Sequence, residues 1–158
     1  MINNEQKRII PNEVLLPEVA RLISEGHTVT LIIRGNSMNP FLVDRRDRIV
    51  VGPFTETDLQ PGAVVLARES LGRIVFHRII RRNGQELTLL GDGNLKVTEQ
   101  TNIADVMGIM VAAIRKDKEY PCSGRTWQRY SFWWIKMMPI RRWLLAIFRS
   151  CLLYTSPS

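Results

Sequence analysis

Six short runs of β-forming residues lie between positions 28 and 115, and turn residues separate each run from the next. Short strands with frequent turns and little helix predict a compact, mostly antiparallel β domain, either a barrel or a sandwich. An Asn-Gly pair at 83–84 is the strongest hairpin signal in the chain. The predicted strands are 28–34, 48–51, 63–68, 73–81, 86–90 and 104–115.

Helical patterns flank this β region on both sides. Residues 12–25 have apolar side chains at helical spacing, with Asn12 as the expected cap and Gly26 as the end. After residue 118 the strand pattern stops, and 127–153 contains helix formers with a break at Pro139. The fold class is therefore mainly β, with a short N-terminal helix and a C-terminal basic, aromatic helical tail. We expect an N-terminal lead-in at 1–26, a β domain at 27–118 and the tail at 119–158.

The whole excess of positive charge lies from residue 115 onward. Residues 1–114 have 13 basic and 13 acidic side chains, whereas 115–149 have nine basic and two acidic ones. All four tryptophans are in the tail as well, at positions 127, 133, 134 and 143. Interleaved Trp and Arg suit a helix at a membrane surface, with its rings at headgroup depth. There are two alternatives: the aromatic face packs on the β domain, or the tail contacts nucleic acid. We expect no nucleic-acid partner.

Other classes of protein are disfavoured. Cys122 and Cys151 are 29 residues apart and form neither a metal-ligand spacing nor a disulfide framework, which indicates reduced thiols. No apolar run approaches the length that a spanning helix needs, and the first residues lack the apolar core of a secretory signal. We therefore expect a cytoplasmic protein, peripheral at the membrane, with no metal and no cofactor.

The run GNSMNP at 35–40 follows the first predicted strand. It places Ser37 on a turn, where a hydroxyl is exposed on a fixed backbone and neighbouring N–H groups are free to face an oxyanion. Most serines in such turns only shape the turn. Ser37 is nevertheless a candidate nucleophile.

A second polar element interrupts the apolar run VFHRII at 75–80. His77 alternates with Val75 and Ile79, so the three side chains share one face of the strand. A lone histidine of this kind is more often a core residue than a catalyst. Few other bases are available, since a Ser–Lys dyad would need Lys96 or a tail lysine. If Ser37 is a nucleophile, His77 is its natural base.

Four segments taken in order, GNSMNPFLVDRRDRIVV, LQPGAVVLAR, VFHRII and GDGN, resemble the motif set of the signal peptidase I / LexA-like serine peptidase superfamily. The resemblance covers about residues 28–108, roughly half of the chain. It implies that Ser37 is the nucleophile and that His77 is the base. The His-Arg-Ile-Ile run matches the branch with a histidine base, which includes the archaeal and endoplasmic-reticulum signal peptidases.

The sequence departs from the family pattern at its acidic positions. Arg46 and Ala63 replace a glycine and an aspartate, and Thr98 stands where the histidine branch has its third acidic residue. The acid that orients the histidine is therefore Glu99 after a one-residue shift, Asp92, or none. Backbone N–H groups near Ser37, together with Asn36, are the expected oxyanion donors.

The resemblance implies a serine endopeptidase that cleaves leader or signal segments after small residues by acyl transfer. Its partner is a protein or peptide substrate with a leader segment, bound beside an edge strand. The tail would hold the enzyme at the membrane surface through Trp133, Trp134, Trp143, Arg141, Arg142 and Arg149. The alternative is an inactive member of the superfamily that binds peptides or partner proteins.

Overall fold

The computed structural model describes residues 12–155, with side-chain surroundings described for 16–151. The expectations for residues 1–11, for Asn12 as a cap and for residues 156–158 lie outside these ranges. Helix α1 covers Asn12–Ser24, α2 covers Arg125–Lys136 and α3 covers Arg141–Thr155. The strands are β1 (Val29–Ile32), β2 (Asp47–Gly52), β3 (Val64–Arg68), β4 (Ile74–Asn83), β5 (Glu86–Leu90), β6 (Glu99–Asn102), β7 (Val106–Arg115) and β8 (Lys118–Pro121).

The eight strands described form one antiparallel sheet in the order β1-β2-β7-β3-β4-β5-β6, with β8 paired to β7. The sheet curls into a half-barrel. The structure is therefore a single curved sheet and not two packed sheets. Each of the six predicted runs coincides with a strand to within two residues at either end, and the mainly antiparallel β class is confirmed. The pairing of β4 with β5 shifts by one residue between Ile79 and Arg81, which marks a bulge beyond the middle of β4.

The expectation that strands stop at residue 118 was wrong, because β8 continues the sheet after a tight turn at Lys116 and Asp117. Both of these residues have positive φ angles, 49° and 63°. Strand β6 was not predicted either. Both strands are short and rich in polar residues, so neither shows the apolar alternation that indicates a strand.

The two sides of the sheet have separate hydrophobic clusters. Helix α1 places Val19 and Ile23 on one side, where Trp127 of α2 is buried in the same cluster. The other side holds a cluster that includes Val65 and Ile79. The first helix of the tail is thus part of the protein core. Within the described residues, no helix combines the length and the apolar character needed to cross a membrane.

Candidate active site

Ser37 lies in the turn between β1 and β2, as the sequence predicted, and its side chain is half-buried. Gly35 has a φ of 81° and donates its N–H to Asp44 Oδ1 at 2.6 Å, which fixes the start of the turn. In the described part of the chain, neither the hydroxyl of Ser37 nor the N–H groups of Ser37 and Met38 make a hydrogen bond. The turn therefore presents a hydroxyl and two backbone donors with no internal partner.

The loop after β5 holds this turn from the other side. Gly93 donates its N–H to the carbonyl oxygen of Ser37 at 2.8 Å. A Cβ atom at Gly93 would collide with the carbonyl of Asn36, and one at Gly91 would collide with that of Ser37. The same Cβ at Gly91 would lie 3.0 Å from Cδ2 of His77. Glycine is therefore required at both positions for the loop to approach the Ser37 turn closely. At Gly91, the Ser37 carbonyl and the His77 ring both lie next to the position that a Cβ atom would occupy.

His77 occupies the middle of β4 and is only 6% exposed. Its Nδ1 lies 2.9 Å from Oε2 of Glu99, which is also buried. In the described residues its Nε2 makes no hydrogen bond, and this nitrogen adjoins Cδ2, the carbon that faces Gly91. A carboxylate on Nδ1 holds the proton there and leaves the Nε2 lone pair available, as a general base requires.

The structure distinguishes the three candidates for the orienting acid. Glu99 is the first residue of β6 and points inward to His77, whereas Thr98 is exposed. Asp92 has a different partner, since both of its carboxylate oxygens accept bonds from the guanidinium of Arg78. His77 therefore lies against Glu99 and, across Gly91, near the Ser37 carbonyl. The carboxylate of Asp92 is held instead by Arg78, the next residue of β4, whose side chain leaves the opposite face of the strand.

Arg78 and Asp92 form a buried ion pair with two hydrogen bonds of 2.8 Å each. The remaining guanidinium nitrogen donates to the carbonyl of Gly62 and to the hydroxyl of Ser131, both at 2.8 Å. Burial lowers the pKa of Arg78, but the charge and hydrogen bonds of Asp92, together with the interaction with Tyr130, outweigh burial and raise the pKa overall. The pair therefore remains ionised, and its polar atoms have the partners that a buried pair needs.

Helix α2 adds two further bonds to Asp92. The hydroxyl of Tyr130 donates to Oδ2 at 2.6 Å, and Nε1 of Trp134 donates to the backbone carbonyl at 3.0 Å. Burial raises the pKa of Tyr130 well above its ordinary value, so the phenol keeps the proton that it donates. Sequence reasoning gave Tyr130 and Ser131 no role and did not connect Trp134 to Asp92, because nothing in the sequence pairs this helix with the loop at Asp92.

Two residues expected at a membrane surface are buried instead. Trp134 is 5% exposed and Arg141 is 1% exposed, so their assignment to lipid contact was wrong. Arg141 donates to the carbonyl of Trp134 at 3.1 Å and lies over its indole ring, 4.9 Å from the centroid. Both residues join α2 to α3. Asn36, the expected side-chain oxyanion donor, is exposed. Among the described residues, its side chain makes one hydrogen bond, in which Oδ1 accepts from Nδ2 of Asn39 at 3.5 Å, and its side-chain amide nitrogen makes none.

No protein-family model matches this chain, and no curated protein matches it either. The arrangement of Ser37, His77 and Glu99 and the order of the sequence motifs remain as the indications of function.

Proposed function

We propose that this protein is a serine endopeptidase of the signal peptidase type, which cleaves leader or signal segments after small residues. One observation supports the proposal above all others. His77 is paired with Glu99 through Nδ1, and the opposite edge of its ring faces the glycine that adjoins the Ser37 carbonyl. This is the order of groups in a nucleophile–base–acid triad.

The proposed reaction is acyl transfer. Ser37 Oγ attacks the scissile carbonyl while His77 Nε2 accepts the hydroxyl proton, and the imidazolium then delivers that proton to the leaving amine. Glu99 stabilises the imidazolium, and the N–H groups of Ser37 and Met38 are the proposed oxyanion donors. Water, activated by the same histidine, releases the acyl group. General-base assistance of this kind contributes roughly 10²–10⁴-fold to the rate.

The proposed substrate is an extended peptide. Among the described strands, β1 pairs with β2 alone, so no described strand occupies its other edge, and β1 leads directly into the turn of Ser37. A peptide added along an open edge is held by backbone hydrogen bonds. The preference for small residues and for leader segments is taken from the family resemblance.

The test is to incubate the wild-type protein and a Ser37→Ala variant with a detergent-solubilised precursor pool, and to identify new N-termini by mass spectrometry. We expect new termini after small residues with the wild type and none with Ser37→Ala. Ser70→Ala is the matched control, because Ser70 is an exposed turn serine of the same sheet. Termini that persist in Ser37→Ala, or that are absent from folded wild-type protein, contradict the proposal.

An inactive, peptide-binding protein with the same fold is the second candidate. It is favoured by the lack of a hydrogen bond between Ser37 Oγ and His77 in the described residues. Catalytic hydrogen bonds are often loose without substrate, which is why the peptidase remains the first proposal. The two differ at His77→Ala, which abolishes cleavage in a peptidase and leaves peptide affinity unchanged in a binding protein.

A further inference from the structure

The two C-terminal helices expose an unusual amount of apolar surface. Trp133 is 55% exposed and Trp143 is 63% exposed, although large aromatic side chains are usually well covered. Contiguous exposed apolar surface is characteristic of interaction sites. Up to residue 151, where the description of side-chain surroundings ends, the other large hydrophobic residues exposed on this part of the chain are Phe132, Ile140 and Ile147.

Helix spacing separates these residues from the core. Phe132 and Trp133 lie with Arg129 and Lys136 at the i, i+3, i+4 and i+7 positions of α2, which form one side of a helix. Trp127 and Trp134 are buried on another side of α2. On α3, Trp143 and Ile147 are one turn apart and both point outward. The exposed apolar residues thus lie on faces of α2 and α3 that do not belong to the core, and these faces are the outer side of the two helices.

The charge on these helices has a single sign. Residues 125–155 contain six basic side chains and no acidic one. Two of the cations lie against the exposed rings, with Lys136 Nζ 4.8 Å from the ring centroid of Phe132 and Arg142 Cζ 4.9 Å from that of Trp143. Apolar rings next to cations match an interface that is anionic at its surface and apolar just beneath.

We propose that the outer side of α2 and α3 binds the surface of a bilayer that contains anionic phospholipid, with Trp133 and Trp143 at headgroup depth. The charge alone would also suit a nucleic acid. A polyanion, however, offers no apolar phase for Ile140 and Ile147, which are about half exposed or more. This inference is independent of the peptidase proposal, because it concerns a different surface and is measured as partitioning.

The test is cosedimentation of the full chain with vesicles of phosphatidylcholine alone and of equal parts phosphatidylcholine and phosphatidylglycerol. We expect binding to the anionic vesicles that weakens as salt is added. Arg142→Gln and Arg149→Gln should each reduce the partition constant about fivefold. Trp133→Ser with Trp143→Ser should reduce it by at least about tenfold.

Matched controls come from outside the two helices. Leu71 and Val97 are exposed apolar residues outside the helices, so Leu71→Ser with Val97→Ser should leave vesicle binding unchanged. Arg81→Gln with Lys96→Gln is the control for the loss of positive charge and should also leave vesicle binding unchanged. Equal losses in the test and control variants would overturn the proposal, as would no vesicle binding by the wild type.

Two measurements guard against misfolded variants and a different partner. Quenching of wild-type tryptophan fluorescence by brominated lipid needs no variant, and its absence would overturn the proposal. Trp133→Phe with Trp143→Phe should remove most of the quenching while retaining aromatic rings. Binding of single-stranded RNA in preference to anionic vesicles would assign the surface to nucleic acid and reject the lipid.

Discussion

The indole nitrogen of Trp134 donates a hydrogen bond to the carbonyl oxygen of Asp92, 3.0 Å away, and so joins helix α2 to the loop beside Ser37. Gly93, the next residue of that loop, donates its N–H to the Ser37 carbonyl. Tyr130 binds the side chain of Asp92 one turn earlier in the helix. The position of the serine thus depends on a helix that follows the whole sheet in sequence.

Trp134→Phe should lower both the stability and the cleavage rate. It keeps an aromatic side chain but leaves a buried carbonyl without its donor, which costs about 1–3 kcal/mol. The neighbouring Trp133→Phe is the control, because Trp133 is exposed on the other side of the helix. Urea unfolding and the rate of Ser37-dependent cleavage measure the two effects. Equal behaviour of the two variants would show that the bond to Asp92 does not position the serine.

Glu99→Gln should reduce cleavage by roughly 10²–10⁴-fold with little change in substrate affinity. A neutral amide does not stabilise the imidazolium and permits the wrong tautomer of His77. The measurement is kcat and KM on a synthetic peptide that spans a cleavage site found with the wild type. Thr98→Ala is the control, since Thr98 precedes Glu99 and is exposed. A larger loss of cleavage in Thr98→Ala than in Glu99→Gln would indicate that position 98, where the family has its acidic residue, is the functional one.

Gly91→Ala should abolish cleavage, because the added methyl group would displace the Ser37 carbonyl or the His77 ring. Gly72→Ala provides the comparison. Gly72 has a φ of 90° but open space around it, so its substitution costs about 1–2 kcal/mol of backbone strain and leaves the site intact. Thermal unfolding and peptide cleavage separate strain from site disruption. Cleavage by folded Gly91→Ala at the wild-type rate would contradict the close approach.

Asp47→Asn should destabilise the protein near neutral pH and much less in acid. Burial raises the pKa of Asp47, but hydrogen bonds from Arg46, Arg115 and Val43 outweigh it and hold the pKa below the ordinary 3.8. A carboxyl group whose pKa is lower in the folded state than in the unfolded state stabilises the fold at pH values above its unfolded-state pKa. This stabilisation is lost as the pH falls through the pKa of the folded state. The difference in urea unfolding between wild type and variant should therefore shrink below about pH 4. A difference that does not change with pH would contradict this assignment.

Cys122 should be almost unreactive in the folded protein. Burial raises the pKa of its thiol to about 12 from an ordinary 9.0, and the charge of Arg78 only partly opposes this. At about pH 8 the thiolate fraction is then roughly a thousandfold lower than in the unfolded chain. In a Cys151→Ser variant, iodoacetamide labelling should be slow natively and rapid in urea. Rapid native labelling would mean that the thiol is open to solvent.

The strands that bury apolar side chains could be predicted from the sequence, and the Asn83-Gly84 hairpin joins β4 to β5 as expected. Strands β6 and β8 could not, because their stability comes from pairing to a preceding strand rather than from an apolar pattern. Such strands become visible only once the neighbouring strand is in place.

The candidate site was predictable to the same degree. Ser37 and His77 could be predicted from local sequence, since Ser37 lies in a turn of Gly, Asn and Pro residues and His77 interrupts an apolar strand. The choice between Glu99 and Asp92 depends on the register of three strands, which no local pattern specifies. The attachment of α2 to Asp92 is a contact across 42 positions in sequence, so the tail was read as a separate unit.

The bulge in the β4–β5 pairing lies beyond His77 and Arg78, between them and the hairpin turn at Asn83 and Gly84. At a bulge, one strand has an extra residue opposite its partner, so the pairing on the two sides of the bulge differs in register by one residue. The tip of this hairpin can therefore change in length while His77 and Arg78 keep their opposite orientations. An epitope or a fluorophore inserted at Gly84 would report on the protein without exchanging the imidazole for the guanidinium.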